Sequence, residues 1–226
     1  MEVLAGPVAV LCSGGLDSAV LLIDLARRVG AAVPIFVRAG HVWEAAERAA
    51  LDRFVAAVNE PRVAPVRELE LPMRDVYGAH WSMTGRGVPG WDAPDEAVEV
   101  SGRNLVLLVK VLVLAAMEGW PVVAIGSLAG NPFPDATPAF FAKLEDAVSE
   151  GLARPPRIVQ PFRGLAKADV IRRGAGLPLE VTLSCAHPSP DGRHCGDCNK
   201  CRERVEAFAA AGVVDRTRYV RRSKDG

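Results

Sequence analysis

The chain has 226 residues, half of them hydrophobic, and its 27 basic side chains are balanced by 27 acidic ones. Such a length buries a full core in one domain, or in one domain with an appendage, and zero net charge removes the general argument for a polyanionic partner, so nucleic acid is not the expected ligand. Residues 1–7 carry no basic segment leading into an apolar one, and the most apolar stretch, 105–117, is interrupted by Lys110 and is shorter than the about 20 residues that cross a bilayer. A cytoplasmic protein without a membrane partner is expected.

Apolar residues 8–12 lie between Pro7 and a Ser-Gly-Gly turn, as suits a strand buried on both faces. Residues 17–29 then set Val20, Leu21, Leu25 and Val29 on one helical face, with Gly30 behind them. A second strand is expected at 33–37 and a second helix at 43–59, where Leu51, Phe54, Val55 and Val58 recur at helical spacing. Residues 67–71 read as a third strand. The stretch 73–101, rich in Gly, Pro and polar residues, is expected to be a functional lid or a disordered connection. An apolar helix follows Gly102-Arg103-Asn104; then come a strand at 121–125, a loop at 130–138, a helix at 140–151, a short strand at 157–160 and a helix at 167–174. This alternation predicts right-handed crossovers and an α/β fold, a doubly wound, mainly five-stranded parallel sheet.

The pattern changes beyond Pro178. The expected division is an α/β domain at 1–177 and a C-terminal segment at 178–226, which holds four cysteines, an amphipathic stretch at 202–211 and a basic tail at 216–224. The amphipathic stretch would permit a homodimer.

Ser13-Gly14-Gly15-Leu16-Asp17-Ser18 stands between the first strand and the first helix. Two glycines let the backbone turn with its N–H groups inward, the helix N-terminus behind adds partial positive charge, and Ser13 and Ser18 add hydroxyls, so the loop suits phosphate oxygens. The other reading is an ordinary turn, with Asp17 a first-turn carboxylate favoured by the helix dipole. No Gly-Lys-Ser/Thr ending follows, which excludes a Walker-type loop. Towards the other end, Cys195, Cys198 and Cys201 recur at two-residue gaps, with Cys185 ten positions upstream. Four such thiolates can close a tetrahedral zinc site, structural because no coordination position stays open for water. An iron–sulfur cluster is the alternative, and His187 or His194 could replace a ligand. Cys12 reads as a buried strand residue.

The loop resembles the PP-loop of the ATP pyrophosphatase superfamily. With the cysteines, the chain resembles nearly end to end the 7-cyano-7-deazaguanine synthases of queuosine-precursor biosynthesis. The matches are residues 13–18, Gly102-Arg103-Asn104, Gly126, Pro134-Asp135, Lys167, Thr182-Leu183-Ser184-Cys185 and Cys195-Gly196-Asp197-Cys198-Asn199-Lys200-Cys201. The resemblance implies a Rossmann-like PP-loop fold with a small C-terminal zinc-binding subdomain. Ser13, Gly14, Gly15, Leu16, Asp17, Ser18 and Gly126 would bind ATP with Mg2+, and Cys185, Cys195, Cys198 and Cys201 would hold one structural Zn2+. Asp17, Ser18, Arg103 and Lys167 would serve the chemistry. It further implies a ligase that adenylates the carboxylate of 7-carboxy-7-deazaguanine and converts it with ammonia to the nitrile. The order of steps is chemically sensible: a carboxylate is a poor acyl donor until adenylation supplies a leaving group, and the protein's work is positioning and charge neutralisation. Bland roles remain open: Lys167 could be solvated at a helix start, and Arg103 could pair with Asp135 or Glu99.

Two segments depart from the family's pattern. An Asp-Tyr-Gly-Gln-like segment becomes Arg38-Ala39-Gly40-His41-Val42-Trp43-Glu44, reversing the charge, and a Ser-Gly-Tyr-Pro-Asp-Cys loop becomes residues 128–136, keeping only Pro134-Asp135. In a doubly wound sheet both lie at the carboxyl ends of strands, where ligands bind. Arg38, Trp43, Asn104, Phe133 and Asp135 are therefore the expected substrate-side residues, with Trp43 or Phe133 either stacking on a planar ring or simply packing. Three other readings stay open: a different carboxylate substrate, a thiolating PP-loop enzyme that acts on a tRNA base and would need a basic face, and a catalytically silent nucleotide-binding scaffold.

Overall fold

Val8 and Val10 point to one side of the first strand and Ala9 to the other, and all three are fully buried, so the strand needs a packed layer on each face. The computed structural model, which describes residues 6–221, supplies both layers. Strands β1 (Val8–Leu11), β2 (Ala32–Arg38), β3 (Arg67–Glu70), β4 (Val122–Ala124) and β5 (Arg157–Val159) form one sheet in the order β3-β2-β1-β4-β5, with every neighbouring pair parallel. Val8 lies opposite Ala32 on one side and Val122 on the other. The chain winds outward from β1 to β3 and then crosses back to lay β4 against the free side of β1. That reversal opens a crevice above the carboxyl ends of β1 and β4, where sheets of this kind bind ligands.

The helices are α1 (Leu16–Val29), α2 (Glu44–Val58), α3 (Arg74–Tyr77), α4 (Trp81–Thr84), α5 (Arg103–Glu118), α6 (Pro138–Gly151), α7 (Lys167–Arg173) and α8 (Asn199–Ala211). On one face of the sheet Val8 and Val10 pack with Leu21 and Leu25 of α1, Ile171 of α7 and Phe208 of α8. On the other, Ala9, Val33 and Ile35 pack with Leu108, Val111 and Leu112 of α5 and Phe141 of α6. The ends follow local chemistry. Gly30 closes α1 in the left-handed conformation, and the Thr137 hydroxyl accepts from the Phe140 N–H ahead of Pro138 at the start of α6.

Two expectations change. Residues 73–101 contain α3, α4 and a 3-10 turn at Asp95–Val98, elements too short to show a hydrophobic period. The amphipathic C-terminal stretch does not offer its apolar face to a second copy, because Ala207 and Phe208 of α8 are buried in the core beneath the sheet. In the basic tail, the Val220 N–H donates to the His194 carbonyl and the Arg221 N–H to that of Cys195. Residues 222–224 of that tail lie outside the described residues, among which no helix is long and apolar enough to cross a membrane.

Candidate active site and metal centre

The PP-loop is fixed from within: the Ser13 N–H donates to Ser18 Oγ at 3.4 Å, Ser18 Oγ donates to the Gly15 carbonyl at 3.1 Å, and the Gly15 N–H donates to Ser13 Oγ at 3.2 Å. Gly14 has φ of +81°, and a Cβ there would stand 2.2 Å from the Glu47 carbonyl oxygen. The loop therefore rests on the α2 backbone, and only glycine permits it. A Cβ on Gly126 would lie 3.4 Å from the Ser18 nitrogen, so the end of β4 faces the loop at contact distance.

Three adjoining cavities form one cleft over this platform. The first, about 190 Å³, is lined by Ser13, Gly15, Asp17, Ser18, Gly126 and Ser127 among others. The second, about 220 Å³, has walls of Trp43, Trp81, Val98, Val100 and Phe133, with Asn104 and Asp135 at its edge. The third, about 340 Å³, adds Leu16, Lys167 and Glu203 and shares Lys200 with the second. Glu47, Arg103 and Asn131 line all three.

The charges are organised. Lys167 Nζ lies 3.3 Å from Asp17 Oδ2 and 2.7 Å from Glu203 Oε1, and its side chain is only 12% exposed, so it is not a solvated lysine at a helix start. Burial works against its charge, yet the two carboxylates prevail and hold it above the ordinary lysine range. Glu203 pairs as well with Lys200; burial favours its neutral form, but the two lysines hold it down at about 2. Asp17 Oδ1 is buried without a hydrogen-bond partner, an anionic oxygen that fits a divalent cation. Arg103 has a buried, unpartnered Nε and sits 5.9 Å from the Trp43 ring centroid. Among the described residues no ion pair ties it to Asp135 or Glu99.

The substrate-side residues divide. Trp43, Asn104, Phe133 and Asp135 come together around the second cavity. Asp135 is itself committed to α5, accepting from the Asn104 N–H at 2.7 Å, the Asn104 side-chain amide at 3.1 Å and the Leu105 N–H at 3.4 Å. Arg38 lines none of the three cavities, because Glu68 and Glu70 of the neighbouring strand hold its guanidinium. Sequence reasoning missed Glu47, Trp81, Asn131 and Lys200. Burial pushes the Glu47 carboxyl up to about 8, with Arg103 opposing. Glu44, one turn before it, accepts from the Ala39 and Gly40 N–H groups at 2.7 and 2.9 Å and closes the turn into α2. His41 stacks on Trp43 at 4.8 Å, and burial lowers its pKa to about 3, which keeps the ring neutral.

Where Cys185 borders the second cavity, the Sγ atoms of Cys185, Cys195, Cys198 and Cys201 lie within 4.8 Å of one another, with Cys185 and Cys195 at 3.5 Å and Cys195 and Cys201 at 3.8 Å. Four thiolates bound tetrahedrally at about 2.3 Å stand about 3.8 Å apart, so the cluster fits a single ion. The His187 and Cys195 N–H groups donate to Cys185 Sγ and the Gly196 N–H to Cys201 Sγ, at 3.4, 3.3 and 3.4 Å, the outer partners that thiolates need. Gly196 is left-handed, and a Cβ there would meet the Arg221 carbonyl oxygen at 1.5 Å. His194 spends Nε2 on the Ser184 N–H at 2.9 Å and is not a ligand. From this centre the chain reaches the cleft by three routes. The Leu183 N–H donates to the Gly14 carbonyl at 2.9 Å. Lys200 and Glu203 project from α8 into the third cavity. Asn199 donates to the Ala93 carbonyl at 2.7 Å and to Asp95 at 3.0 Å, fastening the segment that continues into the wall at Val98 and Val100.

Similarity to known proteins covers the same features. The family described as queuosine biosynthesis protein QueC matches residues 7–212, a span that includes the PP-loop and all four clustered cysteines. A 7-cyano-7-deazaguanine synthase of Azoarcus sp. (strain BH72) is 36% identical over 223 residues, covering 93% of this chain and 95% of that protein. One from Thiobacillus denitrificans is 34% identical over 227 residues, with 94% and 97% covered. Among solved structures, the U34-tRNA thiolase NcsA from Methanococcus maripaludis, with its 4Fe-4S cluster, superposes with a TM-score of 0.52 at 15% identity, over 91% of this chain and 65% of that one. A 4-thiouridine synthetase in complex with RNA and bound ATP gives 0.50 at 15% identity, over 89% and 50%. At that identity the two structures share the fold alone. The family match and the end-to-end identity carry more: this chain belongs to the QueC family of queuosine biosynthesis proteins.

Proposed function

We propose that this protein is an ATP-dependent carbon–nitrogen ligase that adenylates the carboxylate of 7-carboxy-7-deazaguanine and converts it with ammonia to the nitrile. The observation that supports this most is the single cleft in which a phosphate loop and an aromatic slot meet at Arg103. Ser13, Gly15 and Ser18 receive the ATP phosphates, with Gly126 allowing close approach and Leu16 opening the helix whose N-terminus faces them. Asp17 would hold Mg2+ through its unpartnered oxygen, and that ion would supply charge neutralisation at the phosphates. Lys167 adds a fixed cation. Trp43, Trp81 and Phe133 take the planar base, and Arg103 turns its carboxylate towards the α-phosphate. The carboxylate oxygen attacks the α-phosphorus and pyrophosphate leaves; ammonia then displaces AMP from the acyl carbon to give the amide. A second ATP adenylates the amide oxygen with release of pyrophosphate, and loss of AMP from that carbon with an N–H proton from the nitrogen leaves the nitrile.

The four cysteines bind Zn2+, which suits a closed, structural site, and the protein works in the cytoplasm. Thiolation of a tRNA base is disfavoured. Outside the metal cluster the only cysteine is Cys12, and burial pushes its thiol far above the ordinary range, unsuited to carrying sulfur.

Mass spectrometry tests the reading. Purified protein with ATP, ammonium and 7-carboxy-7-deazaguanine should yield the nitrile with AMP and pyrophosphate. Turnover of another acid alone would reassign the substrate, and a salt-dependent gel shift with tRNA would favour the thiolating alternative.

A further inference from the structure

Adenylation leaves one carboxylate of the cleft without a role. Asp17 and Glu203 are paired with Lys167, Asp95 with Arg202, and Asp135 with the start of α5. Glu47 has no ion pair among the described residues, yet it lines all three cavities, in company with only Arg103 and Asn131. That junction of phosphate loop and aromatic slot is where an acyl carbon bound to AMP must lie. Glu47 is also rigidly placed. Its N–H donates to the Trp43 carbonyl at 2.9 Å, and its own carbonyl is wedged against Gly14 of the PP-loop.

Resting on the ligase reading above, we infer that Glu47 is the base that accepts the proton released when ammonia attacks the acyl-adenylate. The ammonia nitrogen forms a bond to the acyl carbon. The bond from that carbon to the AMP oxygen breaks, and its electron pair leaves with the phosphate. The one surplus N–H proton passes to a Glu47 carboxylate oxygen and thence to solvent. Arg103, across the same junction, faces the oxygen on which negative charge develops. Burial poises the Glu47 carboxyl near neutrality, where a base is most effective, with Arg103 of α5 and a side-chain hydrogen bond from Trp43, just ahead of α2, lowering it and Glu44 of α2 raising it further.

The Glu47→Gln variant separates the half-reactions. ATP–pyrophosphate exchange dependent on the acid should be largely kept, which also reports an intact fold. Product formation from ammonium should fall about 100-fold or more. Hydroxylamine, whose N–H in the adduct is far more acidic than that of ammonia and so needs less help from a base, should give the hydroxamate with a much smaller loss. Equal losses in all three measurements, or undiminished use of ammonium, would overturn the assignment. If the unaltered protein shows no acid-dependent exchange, the ligase reading itself fails, and that outcome is distinct from either.

Discussion

At Lys167 one cation serves two carboxylates brought from distant parts of the chain, Asp17 behind β1 and Glu203 on α8. The folded state depresses the Glu203 carboxyl from an ordinary 4.5 to about 2, so the stability it contributes is complete above the unfolded value and is lost as pH falls through that window. Acid titration of unfolding free energy should show a loss on the order of 2 kcal/mol between those limits, and Glu203→Gln should flatten it. Gly14→Ala sets a Cβ against the Glu47 carbonyl at a left-handed position. It should cost about 2–4 kcal/mol in urea unfolding and weaken ATP binding measured by calorimetry, since the loop cannot keep both its conformation and its seat on α2. Glu47 and Arg38 show the limit of sequence reading at this scale. The side of a helix or strand end that meets a cleft depends on neighbours far along the chain: Arg38 goes to Glu68 and Glu70 because β3 pairs with β2.

Among the elements, α5 is placed by a residue outside it. Asp135, after β4, accepts from the first N–H groups of that helix and so fixes Arg103 at its first position. Asp135→Ala should lower stability by about 1–2 kcal/mol and reduce turnover more than stability alone explains, because the guanidinium loses its register. Thermal unfolding beside steady-state kinetics checks this. The long helices were readable because many apolar residues share one period. Segments α3 and α4, at four residues each, carry no period, and they are held instead by contacts such as Trp81 against Trp43, ring centroids 5.4 Å apart.

For the whole molecule, the four-cysteine centre borders the cleft at Cys185 and braces it: it anchors the segment bonded to Gly14, the start of α8 with Lys200 and Glu203, and through Asn199 the wall segment. Metal analysis should give one zinc per chain. Its removal by a chelator should lower the melting temperature and the affinity for ATP together, and added zinc should restore both. Metal loss with unchanged ATP affinity would show that the centre supports only its own segment.

The Ser-Gly-Gly loop between the first strand and the first helix, the parallel α/β alternation and the thiolate spacing were determined by sequence alone, because each is a local pattern complete within a short run of residues. Tertiary structure decided what depends on distant meetings. It set Glu47, Arg103 and Asn131 at one junction, drew Arg38 away from the cleft, and turned the apolar side of α8 inward, because burial of apolar surface and pairing of charge are settled across the sheet.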